Sequence, residues 1–420
     1  MPPPKREMFL LGAGASVEAG IRASLGLTDA IANFKHDDEP EDLIADKVVR
    51  FVLGSRKMQR GVEGLDPLKN DIDVEELFSA ATALRDRHQN LIAPFVSLWH
   101  DEIRSLDSYS SIETDILTDV LVDPSVNAPI KSRPTGVGIS SGLSVEQVIG
   151  LIKRFISAYS THRKSGKIIG VRSRRKADVF EDATDVLLHR LSRLVWIDEN
   201  EPNDELLKRV RYLQPLFAAA KDQGYLSIAT LNYDNTIELA ARLLQPKPIT
   251  CETGVQFWNN NGRLDRAPDG LYLLKLHGSI NWHFTRANEQ FVRYVVCEDG
   301  PWHAVAPKTN ARYSKEPGIV FGRGNKLRPD GPFLDLLFEF RNELDRSSKL
   351  TVIGYGFADD HINEQIRRWL TSDINRRLIA ISPSIDSHCP KALERMKGTA
   401  PGRVETMALG AKDAIAKLYP

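Results

Sequence analysis

Apolar runs broken by glycine-rich turns mark the two ends of this chain, and helical spacing fills the middle. Met8-Phe9-Leu10-Leu11 is an unbroken apolar run that stops at Gly12-Ala13-Gly14-Ala15-Ser16. Apolar residues without alternation read as a strand buried on both faces, and the glycines as a tight turn into a helix. Residues 28–220 read as mostly helical, with apolar spacing near 3.6 clearest over 74–84 and 179–196. Between those two helices, 105–145 is rich in Ser, Pro, Gly and Thr, and its segment 123–142 reads as a long loop.

From Tyr225 the texture changes. Residues 225–229, 271–276, 319–321, 350–353 and 378–381 are short apolar runs, several ending in Gly, Asn, Asp or His. Short strands alternating with helices predict an α/β fold with a doubly wound parallel sheet, interrupted by a large, mostly helical insertion. Ligands of such sheets bind beyond the carboxyl ends of the strands. The expected division is an α/β core from 1–27 and 221–420, with 28–220 as an insertion serving assembly or control. No repeat of solenoid type is present.

Composition narrows the class. The chain has 420 residues, 56 basic and 56 acidic side chains and three cysteines. Balanced charge argues against a mainly electrostatic nucleic-acid binder. It averages over an acidic run at 37–46 and a basic cluster of Arg163, Lys164, Lys167, Arg172, Arg174, Arg175 and Lys176, so direct nucleic-acid binding stays open. Cys251, Cys297 and Cys389 are far apart, which excludes a disulfide scaffold and a zinc ribbon. Neither a signal peptide nor an apolar run of membrane-spanning length is visible, so a soluble, cytoplasmic protein is expected.

A glycine turn after a strand can hold a phosphate, because no Cβ intervenes and backbone N–H groups are at hand. Alone it is a weak signal. Four G-x-G triplets occur here, at 12/14, 136/138, 322/324 and 354/356, and Val17 stands where the full dinucleotide fingerprint wants its third glycine. Asp359 and Asp360 read as caps of a helix through Ile362, Ile366 and Leu370, and Asp71 to Glu76 as an acidic helix start. His283 and His303 have no metal-ligand spacing with His277. Trp258, Trp282 and Trp302 read as packing residues.

Four segments taken in order carry more weight. They are Gly12-Ala13-Gly14-Ala15-Ser16 with Ala19-Gly20-Ile21, Thr230-Leu231-Asn232-Tyr233-Asp234, His277-Gly278, and Ile353-Gly354-Tyr355-Gly356. Their order and spacing resemble the sirtuin superfamily of NAD-consuming enzymes, over about half the chain. The resemblance implies that Gly12, Ala13, Gly14, Ala15 and Ser16 hold the NAD pyrophosphate. Asn232 would lie beside the nicotinamide ribose, Asp234 at the carboxamide and Gly354 near the ribose and phosphate, with Thr230 and Tyr355 also among the cofactor-binding residues. Asn232 and His277 would be the catalytic pair, with His277 a base or nucleophile.

The departures are equally specific. Sirtuin deacylases continue with Pro-Asp-Phe-Arg where this chain reads Arg22-Ala23-Ser24-Leu25. Gly356 replaces a serine, Ser382 stands in for an asparagine at the ribose, and the cysteine pairs of the zinc module are missing. What remains resembles the zinc-free, sirtuin-like NAD hydrolases of bacterial anti-phage defence. That implies cleavage of NAD, as substrate and without a metal, to nicotinamide and ADP-ribose. It also implies a restrained enzyme, a homo-oligomer, and a separate HerA-like ATPase or Argonaute-like partner. An NAD- or ADP-ribose-binding subunit without turnover and an NAD-dependent protein deacylase are the alternatives.

Overall fold

The computed structural model describes residues 6–34, 40–66, 72–86, 179–223, 225–244, 251–255, 258, 264, 270–288, 291–296, 300–301, 313–321 and 331–420. The expected loop at 123–142, the basic cluster at 163–176, Cys297, Trp302 and His303 lie outside them, as do residues 37–39 of the acidic run. The chain divides into two units, Met1–Pro94 with Phe180–Pro420, and Phe95–Val179.

Seven parallel strands form the sheet of the first unit: β1 (Glu7–Leu11), β2 (Tyr225–Thr230), β3 (Cys251–Glu252), β4 (Gly270–Lys275), β8 (Lys349–Ile353), β9 (Arg377–Ile381) and β10 (Val404–Met407). Their order is β10-β9-β8-β1-β2-β4-β3. Parallel neighbours need a crossover, and helices supply it. Among these are α7 (Thr236–Leu243) after β2, α8 (Phe333–Asp345) before β8, α9 (Asp360–Ser372) after β8, and α10 (Lys391–Thr399) and α11 (Ala411–Leu418) flanking β10.

Strand alternation divides the core. Met8, Leu10, Tyr272, Leu274, Leu350, Val352, Leu378 and Ala380 join one cluster with Leu336, Phe340, Ile366, Trp369 and Met396 of the covering helices. Phe9, Leu11, Ile228, Leu273, Ile353 and Ile379 alternate with them and are also buried. A sheet apolar on both faces cannot show a period of two, which is why these strands appear in the sequence as unbroken runs.

Among the described residues, the helices of the middle region are α1 (Ser24–Ala32), α2 (Pro40–Val62), α3 (Val74–Arg85), α4 (Val179–Val195), α5 (Asn203–Val210) and α6 (Gln214–Gln223). The periodicity at 74–84 and 179–196 thus corresponds to α3 and α4. Arg190 of α4 is 2% exposed and ties three of them together, donating to the Ile31 carbonyl at 3.2 Å and to Asp46 Oδ1 at 2.7 Å.

Two local expectations are corrected. The glycine turn does not lead directly into an α-helix: two short 3-10 turns, Ala13–Ala15 and Val17–Ala19, come first, and Gly20 ends them at φ +88°. The 319–321 run is not a strand of the parallel sheet. Ile319 closes β7 (Tyr313–Ile319), which pairs antiparallel with β5 (Gly278–Asn288), and β6 (Phe291–Val296) lies on the other side of β5. An apolar triplet has the same appearance in either sheet, because burial sets its composition and pairing direction leaves no mark on it.

Candidate functional site

Strand connections run one way from β1 through β2 to β4 and the other way from β8 to β10. The carboxyl ends of β1 and β8 therefore flank the switch point, where a doubly wound sheet opens a crevice. The two glycine turns meet there. Gly12 N–H donates to the Ile353 carbonyl and Gly14 N–H to the Gly354 carbonyl, both at 2.9 Å. Gly354 has φ +67°, and a Cβ on it would lie 2.3 Å from Ala15 N. A Cβ on Gly12 would lie 2.6 Å from the Gly354 carbonyl oxygen and from Tyr355 Cα. These glycines are thus required by the contact between the two turns. Ala15 N–H donates to Gly12 O at 2.8 Å and Ser16 N–H to Ala13 O at 3.3 Å, so the turn binds its own donors. A half-buried Tyr212 clamps it from outside, donating to the Ala15 carbonyl at 2.6 Å. Burial, then the charge of Asp234, pushes that phenol upward, which keeps it a donor.

The next strand end docks onto this turn. Thr230, the last residue of β2, donates to Leu11 O at 3.3 Å and accepts the Asn232 N–H at 3.1 Å. Asn232 Nδ2 then donates to Gly12 O at 3.0 Å and Ser16 Oγ at 2.9 Å. Gly12, Ser16, Thr230 and Asn232 thus form one connected group. Asp234 turns towards α7 instead, its Oδ1 accepting the Thr236 N–H at 3.0 Å. Its carbonyl accepts from Lys275 Nζ at 2.6 Å, and the fully buried Lys275 also pairs with Glu238 at 2.7 Å.

His277 stands two residues beyond β4, as Asn232 stands two beyond β2. Thr230 and Lys275 are register partners, so the two candidates emerge side by side. His277 is 4% exposed. Its Nε2 is 2.9 Å from Asp359 Oδ2, and its Nδ1 is 3.6 Å from Glu75 Oε1. Asp359 also caps α9, its Oδ1 accepting the N–H groups of His361 and Ile362. Glu75 lies in the first turn of α3, whose start is fixed by Asp73 accepting the Glu76 N–H at 2.8 Å. Tyr233 donates to Glu75 Oε1 and to the Val320 carbonyl, each at 3.2 Å, with its ring centroid 6.5 Å from that of His277. Tyr355 donates to Asn363 Oδ1 at 3.1 Å and accepts the Asp359 N–H at 3.0 Å. Burial pushes both phenols up, with Glu75 adding to it at Tyr233 and Asp359 at Tyr355. A pocket beside His277 and Asp359 is walled by Leu276, Phe333, Leu337 and Ile362.

The motif residues therefore form two groups: the interlocked turns with Asn232, and His277 with its carboxylates. In the sequence Asp359 reads as a helix cap and Glu75 as a helix-start acid. Both are so, and each also faces His277, which no local spacing announces. Lys275 did carry a signal: a lone lysine within an apolar strand. Among the described residues no group of His, Cys, Asp and Glu is arranged to hold a metal ion. No described helix is long and apolar enough to cross a membrane.

Comparison with known proteins gives one family match. Residues 226–400 match the family model of a SIR2-like domain. No curated protein matches the chain. Three solved structures of Sir2 homologues in complex with ADP-ribose are similar to it. A serine-to-alanine mutant is 17% identical, with 50% of this chain and 64% of that chain covered and a TM-score of 0.30. A phenylalanine-to-alanine mutant is 16% identical, with 52% and 73% covered and a TM-score of 0.29. A histidine-to-asparagine mutant is 14% identical, with 52% and 73% covered and a TM-score of 0.30. The match thus spans less than two thirds of the first of these chains.

Proposed function

We propose that this chain is an NAD glycohydrolase that cleaves NAD to nicotinamide and ADP-ribose, with Asn232 and His277 at the reacting ribose. One observation carries the reading. Asn232 and His277 each stand two residues past the register-paired ends of neighbouring strands, each locked by buried hydrogen bonds, beside the crevice at the sheet's switch point. The SIR2-like match over 226–400 supports it by covering Asn232, Asp234, His277 and Gly354.

The chemistry asks little of a metal. Nicotinamide in NAD is a pyridinium, so the C1′–N bond breaks with its electron pair moving to that nitrogen and the base leaves neutral. The cost lies in the oxocarbenium-like ribose, which fixed dipoles stabilise better than water does. Asn232 commits its amide hydrogens to Gly12 and Ser16, which presents Oδ1 as a fixed acceptor for a ribose hydroxyl or the attacking water. His277 takes the proton that this oxygen releases as it bonds to C1′. Asp234, oriented by Thr236 and Lys275, receives the carboxamide. Gly12 to Ser16, Gly354 and Tyr355 line the dinucleotide crevice. Unchecked NAD cleavage would drain a cell, so the region at 28–220 serves restraint, through self-assembly or a separate defence partner.

Product analysis tests this against deacylation. Chromatography of NAD incubated with the full chain is expected to show equal nicotinamide and ADP-ribose without any peptide. Nicotinamide formed only with an acetylated peptide, together with acetyl-ADP-ribose, would overturn it.

A further inference from the structure

His277 lies between two carboxylates delivered from opposite ends of the chain. Asp359 comes from the loop after β8 and Glu75 from α3. Asp359 is held from every side. Its Oδ1 accepts from His361 N–H at 3.0 Å and Ile362 N–H at 3.2 Å. Its own N–H donates to Tyr355 Oη at 3.0 Å, and its carbonyl accepts from Tyr355 Oη at 3.2 Å. The carboxylate cannot rotate away without undoing the cap of α9. This leaves Oδ2 fixed 2.9 Å from His277 Nε2.

An ionised carboxylate only accepts, so that contact requires the proton on Nε2. A neutral imidazole carries one N–H, and Nδ1 is then the atom with the free lone pair. Nδ1 is buried and, among the described residues, makes no hydrogen bond. It faces Glu75 Oε1 at 3.6 Å, an oxygen that Tyr233 holds in place.

We propose that Asp359 is a positioning residue that fixes His277 as its Nε2–H tautomer, so that Nδ1 is the atom that takes the proton. Glu75 stands beside the imidazolium so formed. The kinetic consequence rests on His277 being the base in NAD cleavage, whereas the tautomer does not. In the step, the O–H bond of the attacking water breaks and its proton moves to Nδ1. The oxygen's electron pair bonds to C1′, and the C1′–N pair departs with nicotinamide. The charge gained on the ring then lies between Asp359 and Glu75.

The test is nitrogen NMR of the His277 side chain, with Asp359→Asn as the variant. Asparagine caps a helix as well as aspartate does, so the start of α9 is kept. Its amide nitrogen donates instead of accepting and forces the imidazole proton onto Nδ1. The full-length wild type is expected to show the Nε2–H tautomer and Asp359→Asn the Nδ1–H tautomer. In the variant kcat should fall on the order of 10³- to 10⁴-fold, the scale seen when a catalytic histidine is held in the wrong tautomer. KM for NAD should stay within about threefold, because the contact acts on the transition state. A wild-type Nδ1–H tautomer, or Asp359→Asn with wild-type kcat, would overturn the proposal. Wild-type protein that shows Nε2–H yet neither binds NAD nor releases nicotinamide would sink the NAD reading and leave the tautomer assignment standing.

Discussion

Replacing Gly354 by alanine is the sharpest test of the contact between the two glycine turns. Two separate costs arise. The backbone at Gly354 has φ +67°, where an L-residue costs about 1–2 kcal/mol. The new Cβ would also lie 2.3 Å from Ala15 N and 2.4 Å from Gly14 C, which are backbone atoms pinned by β1. Overpacking of that kind adds about 1–3 kcal/mol, for a total of about 2–5 kcal/mol. Gly402 separates the terms: its φ is +70°, but nothing lies within 4 Å of its Cβ position. Gly402→Ala should thus cost only the backbone term, about 1–2 kcal/mol. Urea unfolding followed by tryptophan fluorescence gives both values from midpoints at constant slope. Equal losses in the two variants would refute the claim that the turns are locked by contact at Gly354.

Buried polar groups give further predictions. Asn235 is 1% exposed, accepts the Ile197 N–H and donates to the Ile197 carbonyl, both at 3.0 Å. Asn235→Ala strands both groups and should cost about 2–4 kcal/mol in urea unfolding; a loss under about 0.5 kcal/mol would contradict this. His283 is fully buried, and burial lowers it from its ordinary 6.5 to about 4. The unfolded chain protonates this histidine where the folded chain keeps it neutral. Its contribution is therefore full above pH 6.5 and is lost by up to about 3 kcal/mol as pH falls towards 4. Urea midpoints at pH 7 and 4.5 should differ less in His283→Gln than in wild type; identical differences would contradict this.

The parallel sheet was legible because burial on both faces writes itself into composition: β1, β2, β4, β8 and β9 are all short apolar runs. β10 carries no such mark, since Val404-Glu405-Thr406-Met407 lies at the sheet edge and is only partly buried. β3 spans two residues, too few for any pattern. Within the site, the signals were those that backbone geometry imposes locally, such as glycines at tight contacts and Asn232 at a strand end. The carboxylates at His277 were hidden for a physical reason. A cap at Asp359 and an acid in the first turn of α3 are sufficiently explained by helix electrostatics. Only the fold reveals that both also point at one imidazole.

Nicotinamide release from NAD by the full-length chain, compared with folded Asn232→Ala and His277→Ala, tests the central claim most directly. The account predicts release by wild type and a loss of at least about 10²-fold in each variant, the scale of removing a general base or a fixed transition-state dipole. Release that continues unchanged in both variants would contradict it.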